Sequence, residues 1–215
     1  MFRGSFAAIV LSLVGLIAPP TRAADAPDLS TPRKAAIAFA KGVESGDMTA
    51  VKATAIGTDS DYKLVESIMG LIGANKELRA AAIEKFGEDG KQISTEDLSN
   101  ISKQMEQGDE KIDGDTATVG KPDEKDPMKL KKIEGNWKVD LASIPEKEQM
   151  TKAMPKMRKV MTGAAADIKA GKYKTIEDAK TAVGQQIFAV VAEQLNTQDQ
   201  STLPAPAPGQ PEPQK

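Results

Sequence analysis

The run DEKIDGDTATVGKPDEKDPMKLKKIEGNWKVDL, residues 109–141, decides the fold, because it holds the only clear strand character in the chain. It reads as strand, Asp-Gly turn, strand, acidic loop, strand, Gly-Asn turn, strand. Ile112 leads into Asp113-Gly114, and the alternating Asp115-Thr116-Ala117-Thr118-Val119 leads out. Asp-Gly between two such runs marks a tight hairpin, since a type I′ turn needs positive φ at both central residues. Met128, Leu130 and Ile133 enter the second hairpin, Gly135-Asn136 is expected to turn it, and Trp137-Lys138-Val139-Asp140-Leu141 leaves it. In that last run Trp137, Val139 and Leu141 share one face, and Lys138 and Asp140 the other. A half-buried antiparallel sheet has this pattern. Ile133 lies three residues past Leu130, so a bulge near Lys131-Lys132 is expected to bring the faces together. The connection Lys121-Pro122-Asp123-Glu124-Lys125-Asp126 lacks the Asp/Asn-Gly-Glu register of a calcium loop and reads as a solvated link.

Working outward, the flanks are helical. Thr31 is placed to cap a first helix and Pro32 to open it, and Ala35, Ala36, Phe39, Ala40 and Val43 make its apolar face before Gly46. Asp47 caps a short second helix with Met48, Val51 and Ala55. A third helix from Asp59-Ser60 carries Tyr62, Val65, Ile68, Met69 and Ile72. Gly73-Ala74-Asn75 weakens helicity there, so Leu78, Ala82 and Phe86 belong to a fourth helix or to the same helix bent. Gly87-Glu88-Asp89-Gly90 reads as a loop. Ser94 or Thr95 is expected to cap a segment with Leu98, Ile101 and Met105. Asn100-Ile101-Ser102 fits a glycosylation triplet in a glycosylating host.

Beyond the sheet, Pro145 is expected to start a helix with the stripe Met150, Met154, Met157 and Met161, kinked or broken near Met154 by Pro155. Lys147, Lys152, Lys156 and Lys159 stand on its other side. Thr175-Ile176-Glu177-Asp178 resembles a capping box that opens a last helix with Ile176, Ala179, Val183, Ile187, Val190, Val191 and Leu195. These two helices read as an antiparallel hairpin over 143–196. The methionine face reads as packing. Protein binding through flexible thioethers is the alternative, and copper ligation by the same sulfurs a weaker one. From 197 to 215 the chain is Pro-rich and aperiodic, the composition of a disordered tail.

Composition sets the compartment and excludes chemistries. Residues 1–23 have the form of a signal peptide: Arg3, the apolar run Phe6–Ala18, Pro19-Pro20, and small residues before a cleavage point after Ala23. The run is short for a membrane span. A secreted or periplasmic protein, free of the membrane after cleavage, is therefore expected. Losing Arg3 and Arg22 leaves 27 basic against 31 acidic residues, net −4, which gives no reason to expect nucleic-acid binding. There is no cysteine and no histidine. Disulfides, thiol catalysis, a Ser-His-Asp triad and the usual zinc ligands are all ruled out. No cofactor and no metal are expected. With eight aromatic residues in the chain, the core must come from Ala, Met, Leu, Ile and Val.

Thr31-Pro32 with Ala36 and Phe39, then Ser45-Gly46-Asp47, Asp113-Gly114-Asp115-Thr116-Ala117-Thr118-Val119 and Gly135-Asn136-Trp137-Lys138-Val139-Asp140 together resemble the nuclear-transport-factor-2-like cone fold, most of all its small secreted bacterial members of unknown function. The resemblance spans Ser30 to Leu141. It implies an α+β fold over 24–142, with N-terminal helices packed on a curved antiparallel meander sheet, followed by the C-terminal helical hairpin. It also implies a cone-shaped pocket. Enzymatic relatives such as ketosteroid isomerase and scytalone dehydratase place an Asp, a His or a Tyr there. Here no His exists, and alternation puts Asp140 opposite Trp137, so no catalytic residue carries over. Tyr62, Phe39 and Trp137 are the candidate ligand contacts. The expected role is a non-catalytic binding or structural domain for an unknown small molecule or protein. The alternatives are a cone-fold enzyme using carboxylate and tyrosine chemistry, and a helical chaperone-like factor.

Overall fold

The structure, a computed structural model, describes residues 26–93, 100–121 and 125–201, of which 194–201 by backbone alone. The signal segment 1–23, residues 122–124 of the acidic loop, 94–99 with the expected Ser94/Thr95 cap, and the tail from 202 lie outside the described residues.

Helix α1 (Pro32–Ser45) starts where the Thr31 hydroxyl accepts the Lys34 N–H at 3.3 Å, with Pro32 in its first turn. It stops at Gly46, whose φ of 74° is free of steric cost only without a Cβ. The Asp47 carboxylate then accepts the N–H groups of Thr49 and Ala50, opening α2 (Met48–Thr54). Thr58 and Asp61 form a reciprocal capping box at the head of α3 (Asp59–Phe86). This helix runs unbroken for 28 residues through Gly73-Ala74-Asn75. Ala74 and Asn75 are buried there, and packing outweighs the weak local propensity. The expected loop after Gly87 is a 3₁₀ turn, Gly87–Ile93, lying back along α3. A short α4 (Ile101–Gln107) precedes the sheet. The Glu44 carboxylate of α1 accepts the Ser102 N–H at 2.7 Å and the Ser102 hydroxyl at 2.9 Å, supplying a cap that Asn100 does not.

The sheet is five-stranded and mixed, in the order β1 (Ala55–Ile56), β5 (Asn136–Asp140), β4 (Met128–Ile133), β3 (Thr116–Gly120), β2 (Asp109–Asp113). Strands β2 to β5 form the expected antiparallel meander. Strand β1 pairs parallel with β5, and the sheet is not closed. Three details differ from expectation. Asn136 pairs with Ile133 inside the ladder, so the second turn is Glu134-Gly135, with φ of 50° and 83°. Asp113 likewise pairs with Thr116, so the first turn is Gly114-Asp115. There only Gly114 has positive φ, the II′ arrangement. No bulge interrupts Leu130 to Ile133. Ile133 turns to the solvent face, and Lys132 takes the place opposite Trp137. Its stem can lie along the indole while its ammonium, 5.9 Å from a ring centroid, stays wet, so a lysine fits where an apolar residue was expected.

Two cores share α3. The first joins Ala36, Phe39, Ala40 and Val43 of α1 and Val65 and Ile72 of α3 to Val119, Leu130, Trp137 and Val139 of the sheet. The second gathers Leu78, Ala81 and Ala82 of α3 and Ile93 with Ala164, Ala165 and Ile168 of α5 (Lys147–Lys169) and Ala179 and Val183 of α6 (Ile176–Ser201). Helices α5 and α6 run antiparallel, with Thr175 and Asp178 forming the expected box. The helix continues to Ser201, past the expected start of the tail at 197. Helix α5 begins at Lys147 rather than Pro145 and passes through Pro155 without a break. It lies along α3 as well as α6, and that support holds a helix short of one N–H. Its fully buried residues are Ala164, Ala165 and Ile168, whereas Met150, Met154, Met157 and Met161 are half-buried.

Candidate functional site

Tyr62, Phe39 and Trp137 come together, in packing. Phe39 and Trp137 are 9% and 4% exposed and belong to the first core, and Tyr62 packs on its edge. The Tyr62 hydroxyl donates to the Ala55 carbonyl at 3.0 Å, tying α3 to β1. Burial raises its pKa, with the Asp61 carboxylate adding to the effect. The Trp137 backbone N–H donates to the Leu29 carbonyl at 2.9 Å, so the segment before α1 continues the β5 edge. Asp140 is buried although it faces away from Trp137. It accepts the Ala142 N–H at 3.1 Å and the Lys131 ammonium at 2.9 Å.

Asp61 and Lys147 form an enclosed ion pair, with the aspartate side chain 6% exposed. Its carboxylate accepts the Lys147 ammonium at 2.5 Å and the Thr58 N–H and hydroxyl at 2.9 Å each. The Lys147 bond first, and the Thr58 N–H second, hold its carboxyl below the ordinary range against the opposing effect of burial. Folding therefore favours the ionised form. Its contribution is complete above the ordinary carboxylate range near about 4 and is lost as pH falls through the depressed folded value. Asp61→Asn is expected to lower stability at neutral pH and to reduce its fall below pH ~4. Urea titrations across the acid range check this, and equal acid slopes in both proteins would refute it.

Two surface depressions, each of about 340 Å³, lie away from the three aromatic residues. One is on the outer face of the sheet, among Lys111, Thr116, Thr118, Lys129, Lys131 and Asp140. The other runs between α3 and α5, lined by Ser67, Pro155, Arg158, Lys159 and Thr162. Neither was legible beforehand: strand alternation marks the first set only as a solvent face, and Arg158 is one cation on a basic helix side. Among the described residues no group of three or more Asp and Glu side chains is placed to hold a metal.

Comparison with family models, curated proteins and solved structures gave no match.

Proposed function

We propose that the chain is an exported, non-catalytic binding domain with a cone-like arrangement of helices on a curved sheet, making its ligand contacts at the surface. One observation supports this reading: Phe39 and Trp137, two of the three candidate ligand contacts, are packed in the core, and the hydroxyl of the third, Tyr62, is already bonded to Ala55. The signal pattern of residues 1–23 supports export to the periplasm or medium. No helix among the described residues is long and apolar enough to cross a membrane. Intact mass of the exported protein is expected to correspond to a chain starting at Ala24; a chain retaining Phe6–Ala18 would refute export by cleavage. An apolar fluorescent probe added to that protein is expected to give the same emission with the wild type and with Tyr62→Phe. Saturable emission that is altered in Tyr62→Phe would favour the cone-fold enzyme instead.

A second reading, a helical protein-binding factor, draws on the half-burial of Met150, Met154 and Met157, which lie outside both cores. If they serve packing against α3 and α6, Met157→Leu should cost less than about 1.5 kcal/mol, and brief peroxide should leave Met154 and Met157 largely unmodified. Rapid sulfoxide formation at both with unchanged circular dichroism would move the assignment to partner binding, since accessible thioethers oxidise first.

A further inference from the structure

Helices α3 and α5 run side by side in the same direction. Lys147 meets Asp61 near their heads, and Lys169 meets Glu77 further along at 3.4 Å. Between these ties lies the groove of Ser67, Pro155, Arg158, Lys159 and Thr162. At Gly70 the guanidinium of Arg158 comes so close that a Cβ would stand 3.1 Å from its Nη1 and 3.4 Å from Cδ and Cζ. A glycine inside a helix sacrifices about 0.5–1 kcal/mol relative to alanine. Here the missing side chain gives the arginine its seat.

The charges are unbalanced at this place. Elsewhere on α5, Lys147, Lys152, Lys156 and Lys169 pair with Asp61, Glu148, Glu193 and Glu77. Arg158 and Lys159 make no ion pair among the described residues, and no carboxylate lines the groove. A planar guanidinium and an ammonium lining one groove suit a phosphate-type oxyanion. The two hydroxyls add a second requirement. Ser67 donates to the Lys63 carbonyl at 2.9 Å, and Thr162 points its hydroxyl at the Arg158 and Lys159 carbonyls at 3.0 and 3.2 Å. Their protons are spent on backbone, so both oxygens offer lone pairs to a ligand's own hydroxyl groups. The Pro155 ring supplies an apolar patch for C–H groups. At about 340 Å³ the groove is roomier than a bare phosphate needs and lies in the range of small-molecule sites.

We infer that the groove between α3 and α5 binds a monosaccharide phosphate, with Arg158 and Lys159 on the phosphate, Ser67 and Thr162 accepting from sugar hydroxyls, and Gly70 keeping the guanidinium in place. This goes beyond the reading of the chain as a surface-binding domain and stands on different residues from those that carry it. The test is calorimetric titration of the exported full chain with glucose 6-phosphate, inorganic phosphate and glucose. The sugar phosphate is expected to bind about tenfold tighter than either part, a difference of about 1.4 kcal/mol. Arg158→Gln should weaken it by at least about tenfold. Gly70→Ala moves the guanidinium by only a few tenths of an ångström, so it should weaken binding by less than Arg158→Gln, while its melting temperature stays equal or rises, because alanine is the better helix former. That variant separates loss of the site from loss of the fold. Equal affinity for inorganic phosphate, no binding of the sugar phosphate at millimolar concentration, or wild-type binding by both variants would overturn the assignment.

Discussion

Replacing Trp137 with alanine is expected to cost about 3–5 kcal/mol, the range for truncating a large buried aromatic. The indole is 4% exposed and joins Phe39, Leu130 and Val139 in the first core. It also forms the surface beneath Lys132, whose ammonium loses its aromatic face in the variant. The backbone bond from Trp137 to Leu29 survives the change, so the loss is packing rather than pairing. Domains of this kind are stable by only about 5–15 kcal/mol, so a large part of the total is at stake. Urea unfolding followed by far-ultraviolet circular dichroism measures it, and Trp137→Phe should recover much of the difference. A change below about 1 kcal/mol, with red-shifted and easily quenched native emission, would place Trp137 at the surface as a binding platform.

Gly90→Ala is expected to destabilise by about 3 kcal/mol, at the upper end of ordinary overpacking. The cause is a clash with backbone: a Cβ at Gly90 would lie 2.2 Å from the Ala82 carbonyl oxygen and 2.5 Å from the Ile83 nitrogen. Those atoms belong to α3, which is held on two sides and cannot yield as a flexible side chain does. The 3₁₀ turn Gly87–Ile93 must lift instead, and it takes buried Ile93 out of the second core. Gly73 is the control. It sits exposed in α3 with nothing within 4 Å of its ideal Cβ, so Gly73→Ala should stabilise by about 0.5–1 kcal/mol. Thermal unfolding of the two variants should move in opposite directions. Equal and small shifts would mean that the turn is not seated on α3.

The sequence alone determined whatever depends on neighbours a few residues apart. Thr31, Asp47 and Thr175 read as caps because their side chains need only reach the next turn of backbone. Gly46 and Gly87 read as stops because positive φ is cheap for glycine. The alternation of Trp137, Val139 and Leu141 placed them on the core face without knowledge of what covers it. Helix stripes likewise assigned Phe39 and Tyr62 to the interior, which is why the three candidate aromatics meet in one core.

Tertiary structure decided the rest. Strand β1 is two residues long, too short for any period, and exists only because β5 offers an open edge. Lys132 replaced Ile133 beneath the sheet because ladder register outranks hydrophobicity at a hairpin end, where a long stem can cover the indole. The continuity of α3 came from burial on both of its sides. The Asp61–Lys147 pair spans 86 positions, and the seat of Arg158 on Gly70 joins helices separated in sequence by strands β2 to β5. Contacts at such separations leave no local pattern in a single chain, since Lys147, Arg158 and Gly70 alone are ordinary helix residues and Asp61 alone reads as part of a helix cap.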